Sequence, residues 1–484
     1  MTPAAIQKTP SPLANGDCNG VNGLKHGHLA EQQKNPVNGA KENLPTGGIL
    51  QNLFSPSAEA KIWAVASRAL HQPSPPIYYP EYTKPGGKDY VYRELDFWTS
   101  GFFPGSLFLL LERRRAFPYL FTPDEQRPHI KQLEYACQWW TENLHQNALL
   151  KGTHDLGFMI LPWAKLDWEL NQSSRSMASI VTAAETLASR FDATIGCIRS
   201  WDKCQTQVYN FNEPQQEFMV IIDNMMNLSL LFYASQHKKD ESLRDKAIQH
   251  ARTTARSHVR QDASTSHLII FDPTTGNIRE RLTNQGFSHD SCWARGQAWA
   301  IAGFAETHQW TGMEEFLVTA RRCADYFLDH LPPSAVAPWD FDAFAQSETP
   351  HDEPPDTSAS LIAAYGLLLI HRALTERGDR SDYLSAAMRL VRAVCQTHLT
   401  SPAEYLSRKG ELETVEHGTL QTATAVTASM DGQQTIVNGA TINNFQHAPR
   451  RWANHGLVYA DYYFLLFGNE LLKMNLGSLM GALW

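Results

Sequence analysis

The chain has 484 residues, 43% of them hydrophobic, and a formal charge of −8 with no basic block or stripe. This is enough apolar material for a sizeable core, and it excludes the phosphate-neutralising footprint that a nucleic-acid binder needs. Seven cysteines (Cys18, Cys137, Cys197, Cys204, Cys292, Cys323 and Cys395) form an odd set with no CxxC pair, which points to reduced thiols rather than a disulfide framework or a zinc site.

The N-terminus lacks the apolar segment of a secretory signal, and the longest apolar runs, such as Leu107 to Leu111, are too short to span a bilayer. The expected setting is therefore cytoplasmic, with no membrane partner. Residues 1–45, rich in Asn, Gly, Gln, Lys and Pro, cannot bury enough surface to offset the entropy of ordering and are predicted to be a disordered tail. Residues 46–484 are predicted to form one catalytic domain.

Helical periodicity begins near Ile49 and recurs between polar or Pro/Gly-containing interruptions. Helix starts are predicted near Ser57, Phe103, Asp124, Asp155, Ser176, Gln216, Asp240, Asp290, Met313, Asp356, Ser381 and His455. Segments such as Ile221 to Ala234 and Ser360 to Ile370 are apolar nearly all round, whereas Leu243 to Arg260 is charged on one side. Buried helices alternating with amphipathic ones imply two concentric layers, so the expected fold is all-α, an (α/α)6 barrel or six-hairpin toroid. Periodicity leaves an irregular helical solenoid open as the alternative. The Thr-, Gly-, Gln- and Asn-rich stretch at 399–449 is expected to be an irregular insertion.

Four clusters carry possible chemistry. In the first, Asp96 to Gly105, Trp98 and Phe103 are candidates for a flat platform under a sugar ring, against the plainer reading of a packed helix entry. In the second, His154 to Trp163, Asp155 stands directly before an apolar run, as a reactive carboxylate or as a helix cap. The third, Ile221 to Asn227, puts Asp223 among apolar neighbours, where desolvation favours the protonated form of a general acid; a structural pairing with Asn227 is the alternative. The fourth, Gln285 to Trp299, offers Arg295 as a planar fork for a carboxylate. A cysteine nucleophile built on Cys292 and His289 lacks an orienting third group. His267 reads as an ordinary buried histidine.

Taken together in order, WTSGFFPG (98–105), HDLGFMILPW (154–163), IIDNMMNLSLLFYAS (221–235), GFSHDSCWARGQAWAIAGF (286–304), WDFDA (339–343), DTSASLIAAYGLL (356–368) and YADYYFLLF (459–467) resemble the unsaturated glucuronyl hydrolases, glycoside hydrolase family 88. The resemblance implies an (α/α)6 barrel that works without metal or other cofactor. Its substrate would be an oligosaccharide ending in a 4,5-unsaturated uronate, the product of a polysaccharide lyase. The implied chemistry is hydration of the C4=C5 bond followed by rearrangement that expels the rest of the chain. Carried over by position, Asp223 is the acid/base and Asp155 its partner, with His267, Gln285, Trp293 and Arg295 on the substrate.

Departures from the family pattern fall at Phe103, Ser100 and Pro355, which touch substrate-edge contacts and spare both carboxylates. The alternatives are an unsaturated rhamnogalacturonyl hydrolase, which the HDLGF block disfavours, and a non-catalytic carbohydrate-binding toroid, which would tolerate loss of the acids. The oligomeric state is not legible from the sequence.

Overall fold

The computed structural model describes residues 47–121 and 127–474, so the predicted tail at 1–45 lies outside the described residues. A short α1 (Gly47–Leu53) precedes the first barrel pair, α2 (Pro56–Ala69) and α3 (Phe102–Ala116). Then follow α4 (Ile130–Thr141) with α5 (Leu156–Asn171), α6 (Ser174–Ala188) with α7 (Leu228–Lys238), and α8 (Glu241–Ser257) with α9 (Ala294–Thr311). The circuit ends with α10 (Glu314–Asp329), a short α11 (Phe341–Gln346), α12 (Thr357–Glu376), α13 (Tyr383–His398) and α14 (Val458–Lys473).

Helices α3, α5, α7, α9, α12 and α14 form an inner ring that closes where α14 packs on α3; α2, α4, α6, α8, α10 and α13 lie outside it. This is the (α/α)6 barrel, and it follows from composition. The inner helices α9 and α12 bury nearly every side chain of their first three turns. The outer helices α8 and α10 bury one stripe and present Lys, Arg, Asp and Glu to water. Helix α12 is long and apolar enough to cross a bilayer, yet it is enclosed by α9, α13 and α14.

Glycines let the inner staves touch. A Cβ on Gly303 of α9 would stand 2.6 Å from the Met225 Cβ, and one on Gly366 of α12 would stand 2.8 Å from Ile301 of α9. On Gly105 of α3 it would meet Pro162 of α5 and Tyr462 of α14, each at 2.8 Å. These contacts are too close for any larger residue without displacement of a neighbouring helix.

Three expectations are corrected. The helix predicted from Gln216 is instead a strand, a 3-10 turn and α7, because Phe218–Ile221 is buried on both faces and so shows no alternation to distinguish it from helix. The strands before it are β1 (Tyr78–Thr83) paired with β2 (Tyr90–Glu94), and the two-residue pairs β3 (Phe191–Asp192) with β4 (Cys197–Ile198) and β5 (Cys204–Gln205) with β6 (Asn210–Phe211). The strand in question, β7 (Phe218–Ile221), is the edge of an antiparallel sheet with β8 (Leu268–Phe271) and β9 (Ile278–Leu282), Ile221 standing opposite Leu268.

Second, the helix expected near Asp290 starts at Ala294, after Trp293, and Asp290 caps nothing. The start placed at Asp124 falls outside the described residues, and α4 begins at Ile130 under a reciprocal cap between His129 and Gln132. Third, the stretch at 399–449 contains a long antiparallel hairpin, β10 (Glu404–Thr414) and β11 (Gly418–Ser429), whose Thr-rich strands look irregular in composition. Asp356, where a helix start is predicted, caps α12 by accepting from the amides of Ser358 at 3.1 Å and Ala359 at 3.4 Å.

Candidate active site

The N-terminal ends of the inner helices converge on a cleft of about 540 Å³. Toward their C-terminal ends lies a smaller cavity of about 180 Å³. Between the two stands a septum of aromatic rings: Trp98 packs on Phe158 at 5.4 Å and Tyr459 at 5.1 Å, and Trp299 packs on Phe158 at 5.3 Å and Tyr463 at 5.6 Å. Trp98 and Trp299 face the cleft, whereas Phe102, Phe158 and Tyr463 line the smaller cavity.

Asp155 and Asp223 both line the cleft. Asp155 occupies the cap position of α5 but makes no capping bond. Asn227 does that work from the 3-10 turn, its Oδ1 accepting from the Gly157 amide at 2.8 Å and the Phe158 amide at 3.3 Å. The Asn227 carbonyl oxygen is thus engaged with α5 while its Nδ2 and Asp223 Oδ1 are both without a hydrogen-bond partner, and the Asp155 carboxylate is released from capping. It instead accepts from the Thr153 hydroxyl at 2.5 Å and lies 3.2 Å from His154 Nε2.

The two carboxyls are pushed apart in acidity. Burial raises Asp223 to about 6, with the charge of Asp155 adding to that rise and His154 opposing it. Burial would also raise Asp155, but His154, Thr153 and Arg190 together hold it below the ordinary aspartate value. His154 itself is fully buried, and burial would depress it; the two neighbouring aspartates, Asp155 foremost, outweigh that and raise it. Asp223 Oδ1 is buried and has no hydrogen-bond partner. The result is one carboxyl biased to hold its proton beside another biased to stay ionised, the division that acid–base chemistry requires.

Gln285, Trp293 and Trp98 also line the cleft. Two predicted substrate contacts are corrected. Phe103 is fully buried against Trp140, with ring centroids 4.6 Å apart, so it cannot carry a sugar; one residue further along a helix turns a side chain by about 100°, from the axis to the outer ring. The aromatic side chains that line the cleft are Trp98, Phe97, Trp201, Trp293, Trp299, Tyr82 and Trp452. Arg295 reaches the cleft, but its fork is committed: Nη1 donates to Asp356 and to the Thr441 carbonyl, each at 2.6 Å, and Nη2 to Gln285 at 3.1 Å and the Ile442 carbonyl at 2.6 Å. A bidentate grip on a substrate carboxylate is not available to it. It ties the 441–442 segment to α9 and sets the pose of Gln285.

His267 is buried one layer behind the cleft, 5.1 Å from the Trp293 ring. Its Nδ1 accepts from the Asn284 amide at 3.0 Å and its Nε2 is unpartnered. Burial, with smaller contributions from His258 and Arg295, lowers it to about 3, so it is neutral. Cys292 is likewise buried and its thiol is pushed up by desolvation, which removes the nucleophile alternative.

Sequence reasoning passed over several residues in the cleft or directly behind it. His154 stands beside Asp155 in the HDLGF block and could have been weighed as its partner. Glu81, raised to about 7 mainly by burial and 3.3 Å from Arg93, comes from the β1–β2 hairpin, and Arg450 from the 438–456 loop; nothing local marks either as facing this cleft.

The family model of Glycosyl Hydrolase Family 88 matches residues 182–414. An unsaturated glucuronyl hydrolase of Formosa agariphila is 31% identical over 379 residues, 76% of this chain and 78% of that protein. An unsaturated chondroitin disaccharide hydrolase of Streptococcus pyogenes serotype M1 is 31% identical over 321 residues, 66% of this chain and 75% of that protein. Among solved structures, an unsaturated glucuronyl hydrolase specific for heparin superposes with a TM-score of 0.68 at 25% identity, covering 88% of this chain and 98% of its own.

Proposed function

Because the chain belongs to glycosyl hydrolase family 88, we propose that it releases the 4,5-unsaturated uronic acid from the non-reducing end of lyase-generated oligosaccharides. The observation that carries this reading is the pair of cleft carboxyls with opposite proton preferences, Asp223 raised to about 6 and Asp155 held low. Asp223 protonates C4 of the enol ether; Asp155, ionised, stabilises the positive charge that develops at C5. Water then adds at C5 while the Asp223 carboxylate takes its proton back; the C5 hemiketal opens to a ketone, and the C1 hemiacetal this leaves collapses to an aldehyde and releases the remaining sugar with its hydroxyl protonated. Trp98 and Trp293 offer apolar faces to the ring, while Gln285, posed by Arg295, offers a hydrogen bond to it. His154 and His267 are positioning residues, the first through Asp155 and the second through Trp293.

The test is the loss of enol-ether absorbance on unsaturated disaccharides from chondroitin, hyaluronan, heparin, gellan and pectin lyase digests. Loss is expected on at least one glucuronate-derived disaccharide. No loss on any would favour a carbohydrate-binding toroid, and loss confined to the pectin digest would favour the rhamnogalacturonyl reading. We further propose a cytoplasmic setting, supported by the six described cysteines, which are buried and in no disulfide.

A further inference from the structure

The hairpin β10–β11 rests on α2 at its base, where Trp63 Nε1 donates to the Val426 carbonyl at 2.9 Å. Beyond the register shift at Arg408/Lys409 it runs on as a two-stranded ribbon with no third strand. Such a ribbon is marginal in water by itself, and its free edges are open templates for pairing. The two edges are not alike. Strand β10 carries Glu404, Arg408, Lys409, Glu411 and Glu413, the charge pattern that guards an edge. Strand β11, GTLQTATAVTAS, contains neither a charge nor a proline and is rich in β-branched residues. Trp63 covers its base, which leaves residues 418–422 as the unguarded stretch.

The exposed side chains there are self-complementary. Leu412 and Leu420 stand directly opposite each other across the ribbon, 55% and 42% exposed, so they share one face. An antiparallel copy of β11 related by a two-fold axis at Leu420 sets residue 418 against 422 and 419 against 421. It also sets Leu420 against Leu420. The two exposed leucine pairs then merge into one apolar stripe four strands wide, with no charge on either paired edge. The occupant this edge fits is therefore a second copy of the same strand.

We propose that residues 418–422 pair with their counterparts in a second molecule, joining two hairpins into one four-stranded antiparallel sheet. So short an edge falls well below the roughly 1,200–2,000 Å² of a standard stable interface, so the dimer is weak and dissociates on dilution. The two-fold closes the association at two copies.

Sedimentation velocity of the full chain over a wide concentration range tests this. The mass should double with concentration, Leu420→Lys should hold it at the monomer value, and Leu420→Cys under mild oxidation should give a cross-linked dimer that the wild type does not give. Leu420 is exposed and no residue of β10 or β11 lines the cleft, so unchanged turnover of Leu420→Lys verifies that the variant is folded. A monomer at every concentration, a dimer indifferent to Leu420→Lys, or open-ended assembly would each overturn the proposal.

Discussion

The two ends of the barrel interior make a natural contrast. Each holds a carboxyl raised by burial: Asp223 at the cleft and Glu306 in the smaller cavity beyond the aromatic septum. Glu306 has both oxygens occupied, accepting from the Ser229 hydroxyl at 2.6 Å and the Tyr365 hydroxyl at 2.9 Å. Asp223 keeps one oxygen without a partner and shares its surroundings with Asp155 and His154. Burial alone therefore does not make a catalytic acid. The cleft differs in leaving acceptor capacity unspent beside a second, oppositely biased carboxyl.

Substitution at both ends tests this contrast most severely. Asp223→Asn should lower kcat by about 10²- to 10⁴-fold, the usual contribution of a positioned proton donor, while Glu306→Gln should leave kcat within about twofold of wild type, since it donates to no substrate. Comparable losses at both positions, measured under saturating substrate, would dissolve the distinction.

The next largest effect is in pH. With Asp223 in its proposed role as proton donor and raised to about 6, kcat/KM should fall about tenfold per pH unit well above that value. Asp155 is depressed, so the loss on the acid side lies lower. His154→Gln removes a charge that opposes the rise of Asp223 and should move the alkaline limb to higher pH. A limb that stays put in this variant would break the electrostatic link between the histidine and the acid.

Smaller again are the effects on stability. A carboxyl whose folded pKa exceeds its unfolded value favours the folded state at low pH, and this contribution is lost as pH rises through the folded pKa. Asp223→Asn should therefore stabilise the protein at pH 7–8 by on the order of 3 kcal/mol, with the gain fading as pH falls through about 6 toward 4. Glu306→Gln should cost about 1 kcal/mol, because its amide replaces one of two acceptors. Thermal melts of both variants across this pH range give the two signs directly.

Legibility from sequence followed the range of the forces involved. Helices with local caps, such as α8 after Asp240 and α12 after Asp356, were placed to within about a residue, because cap and helix are neighbours in the chain. Strand β7 was missed because burial on both faces erases alternation. The fate of Asp155 could not be read locally, since its capping duty passes to Asn227, 70 positions in sequence from the Gly157 amide it accepts from. Phe103 reads as a platform residue from sequence because a one-residue step in helix phase, from Phe102 to Phe103, exchanges the inside of the barrel for the gap between its rings. The commitment of Arg295 depends on the 441–442 segment, well over a hundred residues distant.

The glycine seams at Gly105, Gly303 and Gly366 bear on how this scaffold can diversify. The seams at Gly105 and Gly366 fix the distance between adjacent staves and that at Gly303 the distance from α9 to the 222–227 turn leading into α7, so the circumference of the inner ring is held almost constant against mutation. A lineage that needs to accommodate a bulkier sugar cannot widen the bore one residue at a time, because each single step is a steric clash. Innovation is channelled instead into the connections that rim the cleft, the β1–β2 hairpin and the 438–456 loop, where Glu81 and Arg450 already reside and where length and charge change without moving a helix.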